Sequence, residues 1–202
     1  MTVFSHSAYT LAVPRGDAAA VSALRRAEDE RFFARTTAGP PLWLGQLDAP
    51  LRHPGIDVFE APLASVEVAA VRRALATVLP PVCTLLAPLA LGAHVDHRLV
   101  HAAACLLRSS TRELIFYYED LPYAGFMPLD AIEAAAHAAG QRIDAELEPQ
   151  WWESAALREA KAWAVACYGS QCDDGTLAAL LGHGRRLGAG AALPAERVWR
   201  VR

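Results

Sequence analysis

What this sequence lacks already narrows its chemistry. Only four of its 202 residues are cysteine, and none of Cys83, Cys105, Cys167 and Cys172 forms a Cys-x-x-Cys pair. Such spacings fit no zinc module. Cys83 lies inside an apolar run, where a reduced and buried thiol is expected, so a cytoplasmic setting is expected too. No run of like charge occurs, and 19 basic side chains stand against 22 acidic ones for a net charge of −3. That balance argues against nucleic acid or an anionic membrane as the main partner and leaves a small molecule or another protein. The first six residues, Met1 to His6, lack the basic start and apolar core of a signal peptide. The longest apolar run, 78–95, is interrupted by Pro80, Pro81 and Pro88 and is short for a membrane span. There is no Gly-x-Gly-x-x-Gly after a strand, no Gly-x-x-x-x-Gly-Lys-Ser/Thr and no Gly-x-Ser-x-Gly. Phosphate cradling by a glycine-rich loop and serine-hydrolase chemistry are therefore set aside.

What is present is the composition of a folded chain, 53% hydrophobic and 20% charged. A single domain over residues 1–202 is expected, large enough to bury roughly 70% of its unfolded surface without disulfide or metal staples. Strand signals fall at Thr2 to Phe4, Leu42 to Leu44, Val82 to Ala87, Leu114 to Tyr118, Ile143 to Leu147 and Val198 to Val201. Helical periodicity covers Asp17 to Arg35, Val66 to Leu79, His97 to Arg108, Pro128 to Gly140, Trp152 to Gln171 and Thr176 to Leu187. The stretch from Gln46 to Pro62 reads as loop. The wholly apolar run from Val82 to Ala87 suits a strand buried on both faces. Alternation of this kind predicts an α/β fold, a Rossmann-like three-layer α/β/α sandwich with a mostly parallel sheet. Ligands in such sheets sit beyond the carboxyl ends of the strands. That edge would gather Ser5-His6, Gly45 to Asp48, Leu91 to His97 and Glu119-Asp120.

The densest chemistry on that edge runs from Leu91 to His101, where His94, Asp96, His97 and His101 fall within eight residues. It follows a buried strand and opens a helix, and His97 and His101 stand one helical turn apart, a spacing that lets two imidazoles share a face. The plainer reading is a set of helix-capping polar residues. Asp48 and Arg52 could bind a substrate hydroxyl or brace a loop. Arg25 and Glu28, at i and i+3, read as a structural pair. Trp151, Trp152 and Trp163 read as core residues of a terminal helix, with stacking on a sugar as the other use. His6 sits just past the first strand, and His53-Pro54-Gly55-Ile56-Asp57 lies in a loop with poor spacing for a metal pair.

From Gly92 to Val100 the chain resembles the later signature of the PIG-L/LmbE-like zinc-dependent N-deacetylases. Further segments agree in order: Arg25 to Asp29, Trp43 to Arg52, Tyr118 to Tyr123, Lys161 to Gln171 and Glu196 to Trp199. The resemblance implies hydrolysis of an acetamide on an amino sugar or related small amine, leaving the free amine and acetate. It implies a zinc cofactor with His97 as one ligand, His94 stabilising the tetrahedral intermediate and Asp96 orienting His94. Zinc would polarise the amide carbonyl and lower the pKa of its water. An imidazolium beside the oxyanion would add electrostatic stabilisation. The family's His-Pro-Asp-Asp motif, which carries the other two ligands and the general base, is not found ahead of Thr2. The expected partner is thus a small N-acetylated molecule, with zinc held weakly or not at all by the residues given. A non-catalytic homologue that binds a small ligand or partner protein is the alternative. Without the family's first strand, an unpaired strand edge would favour a homo-oligomer.

Overall fold

The structure is a computed structural model of the chain, describing residues 1–11, 17–108, 114–188 and 193–202. Its elements follow in order: β1 (Thr2–His6), α1 (Ala18–Phe33), β2 (Trp43–Leu47), α2 (Ala49–Arg52), α3 (Ser65–Val78), β3 (Thr84–Pro88), α4 (Val95–Leu107), β4 (Leu114–Tyr118), α5 (Tyr123–Phe126), α6 (Leu129–Arg142), β5 (Leu147–Glu153), α7 (Leu157–Cys167), α8 (Asp174–Leu187) and β6 (Ala195–Val201). A 3-10 turn, Leu91–Ala93, joins β3 to α4. Starts are set by short polar side chains. Asp17 caps α1 through the Ala20 amide, and Asp173 caps α8 in a reciprocal box with Thr176.

The architecture is mixed α/β, but the sheet corrects the expected mostly parallel one. β1 and β2 pair in parallel as a separate two-stranded sheet, while the larger sheet runs β3-β4-β6-β5. Within it β3 and β4 are parallel, and β6 is antiparallel to both β4 and β5. Alternation of helix and strand carries no information about direction: a strand that enters from a helix at the opposite end reads the same in sequence.

Other boundaries move as well. The strand expected at Ile143 to Leu147 begins at Leu147 and runs to Glu153, so Trp151 and Trp152 belong to β5 and are exposed, not core. The following helix starts at Leu157. Arg108 lies past the end of α4 as its C-cap. Part of the expected loop from Gln46 onward is the end of β2 followed by α2. Trp163 stacks on Phe32 at 5.0 Å between ring centroids. Cys83 is partly buried, and Cys167 is the buried one of the four cysteines.

The core lies on one face of the larger sheet. Leu85, Ala87, Ile115 and Tyr117 point into it and meet Leu99, Ala103 and Leu107 of α4, Val71 and Leu75 of α3, and Ile132 and Ala136 of α6. Burying such side chains is the main stabilising term. The opposite face is exposed along β3 and the start of β4. Leu86 is 56% exposed and Leu114 49%, so β3 alternates like a strand covered on one side and not like one buried on both.

A second set of contacts fastens α1 to the far end of the chain. Glu28, 1% exposed, accepts hydrogen bonds from the Ser170 amide and hydroxyl, both at 2.7 Å, and from Gln171 at 3.1 Å. Tyr168 donates to Asp29 at 3.1 Å. Arg25 does not pair with Glu28 as expected but reaches Ser7 and Gln171. Arg31 takes the i, i+3 place beside Glu28 at 3.9 Å. No helix of the described residues is long and apolar enough to cross a membrane.

Candidate functional site

The site forms where β3 and β4 end. After Pro88 the backbone turns through three left-handed residues, Ala90 (φ +67°), Gly92 (φ +75°) and Ala93 (φ +64°). For alanine that region costs on the order of 1 kcal/mol each, so the turn is held by its surroundings. The Leu91 amide donates to Asp120 Oδ2 at 3.0 Å, and Leu89 N–H bonds the Tyr118 carbonyl at 2.9 Å. At Gly92 an added Cβ would lie 2.5 Å from Cγ of Tyr123, so only glycine fits there.

His94 is the N-cap of α4, its Nδ1 accepting from the Asp96 amide at 3.2 Å. That bond leaves Nδ1 unprotonated and puts the ring proton on Nε2. Burial, outweighing the nearby Asp96 carboxylate, pulls the His94 pKa below its ordinary 6.5. That shift favours the neutral Nε2–H form at neutral pH, where the family resemblance implies an imidazolium. The Asp96 carboxylate turns elsewhere, accepting from the Ala49 amide at 3.1 Å and from Arg52 at 2.8 Å. Its link to His94 therefore runs through the backbone amide.

His97, one turn further on, presents Nδ1 to Asp120 Oδ1 at 2.5 Å. Asp120 is fully buried. This arrangement fixes the ring and leaves Nε2 directed to the open side, as in carboxylate-backed metal-binding histidines. The His94 and His97 rings lie 5.4 Å apart. Phe59 and Tyr123 flank them, with Phe59 to His94 at 5.7 Å and Tyr123 to His97 at 5.5 Å. Burial, with Tyr9, Asp120 and Asp96 adding to it, pushes the Tyr123 phenol up to about 12.

The other expected residues are placed as follows. Asp48, 4% exposed, caps α2 and accepts from the Ser7 hydroxyl and the Ala8 amide. Arg52 bridges Glu67 at 2.9 Å and Asp96 at 2.8 Å. The two are neighbours in one brace that ends on Asp96, the start of α4. His101 points away from the site, its Nδ1 on the Pro88 carbonyl at 2.9 Å. His6 is exposed, and His53 lies 3.4 Å from Glu67. Glu119 turns into the core, where His183 at 2.6 Å, Trp199 at 3.0 Å and Arg197 hold it.

Asp120 and Tyr123 were not assigned roles from sequence. The available signal was their place just past the carboxyl end of β4, the edge where ligands gather in such sheets. For zinc the fit is incomplete. His97 is shaped as a ligand, yet among the described residues no group of three or more His, Cys, Asp or Glu side chains could hold a metal ion.

The chain is 33% identical over 195 residues to 2'-N-acetylparomamine deacetylase of Streptomyces fradiae, aligned over 92% of this chain and 67% of that protein. It belongs to the family of that deacetylase. Among solved structures it resembles an A40926 pseudoaglycone deacetylase, with a TM-score of 0.68 and 23% identity over 100% of this chain and 83% of that one. A deacetylase in the biosynthesis pathway of teicoplanin gives a TM-score of 0.57 and 16% identity over 100% and 85% of the two chains. At those identities the likeness is one of fold. No family model matches the chain.

Proposed function

We propose that this protein is an N-deacetylase that hydrolyses the acetamide of an N-acetylated amino sugar, with the Rossmann-like organisation and zinc dependence of the PIG-L/LmbE-like enzymes. The observation that carries the reading is His97, backed by buried Asp120 and standing 5.4 Å from His94 at the strand ends. The relative's name supports the substrate class. In this reading His94 offers its Nε2–H to the carbonyl oxygen as it gains negative charge. The Asp96 amide holds the His94 ring, and its carboxylate fixes the helix start that carries both histidines. Asp48 and Arg52, proposed as substrate-binding residues, are held in the brace that ends on Asp96. His97 is the one described residue proposed as a zinc ligand; because the described residues do not complete a metal site, no step is derived through the metal. That shortfall favours one second reading, a homologue that binds the acetylated ligand without cleaving it.

The test is acetate release from 2'-N-acetylparomamine, followed by mass spectrometry with and without added zinc. Release that His94→Ala lowers by about 10²-fold is the expected outcome. Binding of the compound with no acetate released at saturating zinc would leave the non-catalytic reading in its place.

A further inference from the structure

Tyr123 has features that packing alone does not require. Its ring lies directly over the backbone of Gly92, in the space that any side chain at that position would need. It touches His97 at 5.5 Å and His94 at 6.3 Å, and meets Phe59 edge-on at 5.9 Å. Phe59, 45% exposed, carries this aromatic wall out to the surface. Among the described residues the Tyr123 hydroxyl makes no hydrogen bond, although the phenol is half-buried. A donor in that position is satisfied only by solvent or by a ligand.

The ring is also firmly held. Asp120 fixes His97 through its carboxylate, and its carbonyl accepts the Ala124 amide at 2.8 Å, which starts α5. Arg186 of α8 donates to the carbonyls of Gly125, Ala124 and Met127 at 2.9, 3.0 and 3.2 Å. A side chain at Gly125 would strike the Ala179 carbonyl at 2.8 Å. Such support is what a pre-positioned recognition group needs.

We infer that Tyr123 recognises the acyl amide of the ligand, its phenol O–H donating to the carbonyl oxygen while the acyl carbon packs against Phe59. The inference rests on the site being one for an N-acetylated amino sugar. It assigns Tyr123 a contact that the free amine cannot make, so it concerns discrimination between substrate and product.

Calorimetric titration of the full chain with 2'-N-acetylparomamine, and with the same compound carrying the free amine, tests it. Tyr123→Phe keeps the ring over Gly92 and removes only the hydroxyl. The acetylated compound is expected to bind about tenfold more weakly to the variant, the effect of one hydrogen bond, with the amine unaffected. Gly92→Ala, which must displace the ring, should show the same selective loss. Equal weakening for both compounds, or none for the acetylated one, would overturn the assignment; so would a wild-type protein that binds neither compound. Selective weakening in a protein that releases no acetate would keep the assignment and remove the deacetylase reading. Acetate release by the wild type with unchanged binding by Tyr123→Phe would do the reverse.

Discussion

At the scale of single residues, the site depends on which proton sits on which nitrogen. Asp120 accepts from His97 Nδ1 and from the Leu91 amide at once, so the same carboxylate selects the imidazole tautomer and holds the turn before α4. Asp120→Asn would retain an oxygen for one of these bonds but put an amide where the other acceptor stood. Activity is expected to fall by 10–100-fold, the usual effect of losing such a supporting group. Turnover and melting temperature measured together check this, since a collapse of the fold would lower both. Asp96 is the contrasting case: the family resemblance implies an orienting carboxylate there, and its type and place beside His94 and His97 are legible in the sequence. The direction of its side chain was not, because Arg52 and the Ala49 amide, more than forty residues away in sequence, compete for it.

At the scale of elements, the turn between β3 and α4 pays for its shape with two left-handed alanines. Ala90→Gly relieves one of them and is expected to stabilise the protein by up to about 1 kcal/mol. For a chain of this size that is a rise of about 2–4 °C in Tm, read by thermal unfolding. Helix α4 also carries a pH dependence. Burial pulls the His101 pKa down, but the adjacent Cys105 and the Pro88 carbonyl outweigh it and hold the pKa above 6.5. A raised folded value means the native state binds the proton more tightly. The contribution is therefore complete below pH 6.5 and is lost as pH rises through the raised value. The Tm gap between wild type and His101→Gln should thus be wider at pH 5.5 than at pH 8.5; a gap that widened toward alkaline pH would contradict it. Helices were read well from sequence, since α1, α3, α4 and α8 announce themselves by periodicity and caps. β5 was not, because Trp151 and Trp152 lie exposed on a strand that pairs only with the distant β6, a partner that no local pattern reveals.

At the scale of the whole molecule, the metal and the overall connectivity come into view. With one carboxylate-backed histidine, His97, shaped as a ligand at the site among the described residues, the chain is expected to retain well under one zinc after dialysis, since one or two imidazoles do not complete a tetrahedral site. Elemental analysis checks this, and one tightly held zinc per chain would require ligands beyond His97. The direction of each strand in the larger sheet belongs to this scale too, and it escaped the sequence for that reason. The clasp on α1 has a consequence of a different kind. Glu28 accepts from Ser170 and Gln171, and Asp29 takes Tyr168 in addition to Thr2 and Trp43; the Tyr168 to Gln171 segment is added by a ribosome some 140 positions later. Until that segment emerges, Glu28 lacks the amide and hydroxyl donors that fill it in the fold, and α1 is held by its bonds to β1 and β2 without this clasp. Contacts this remote in sequence slow folding and prolong the exposure of early segments. Helix α1 is therefore completed by a segment made much later, and a nascent chain halted before Tyr168 should be the form that proteases and chaperones find first.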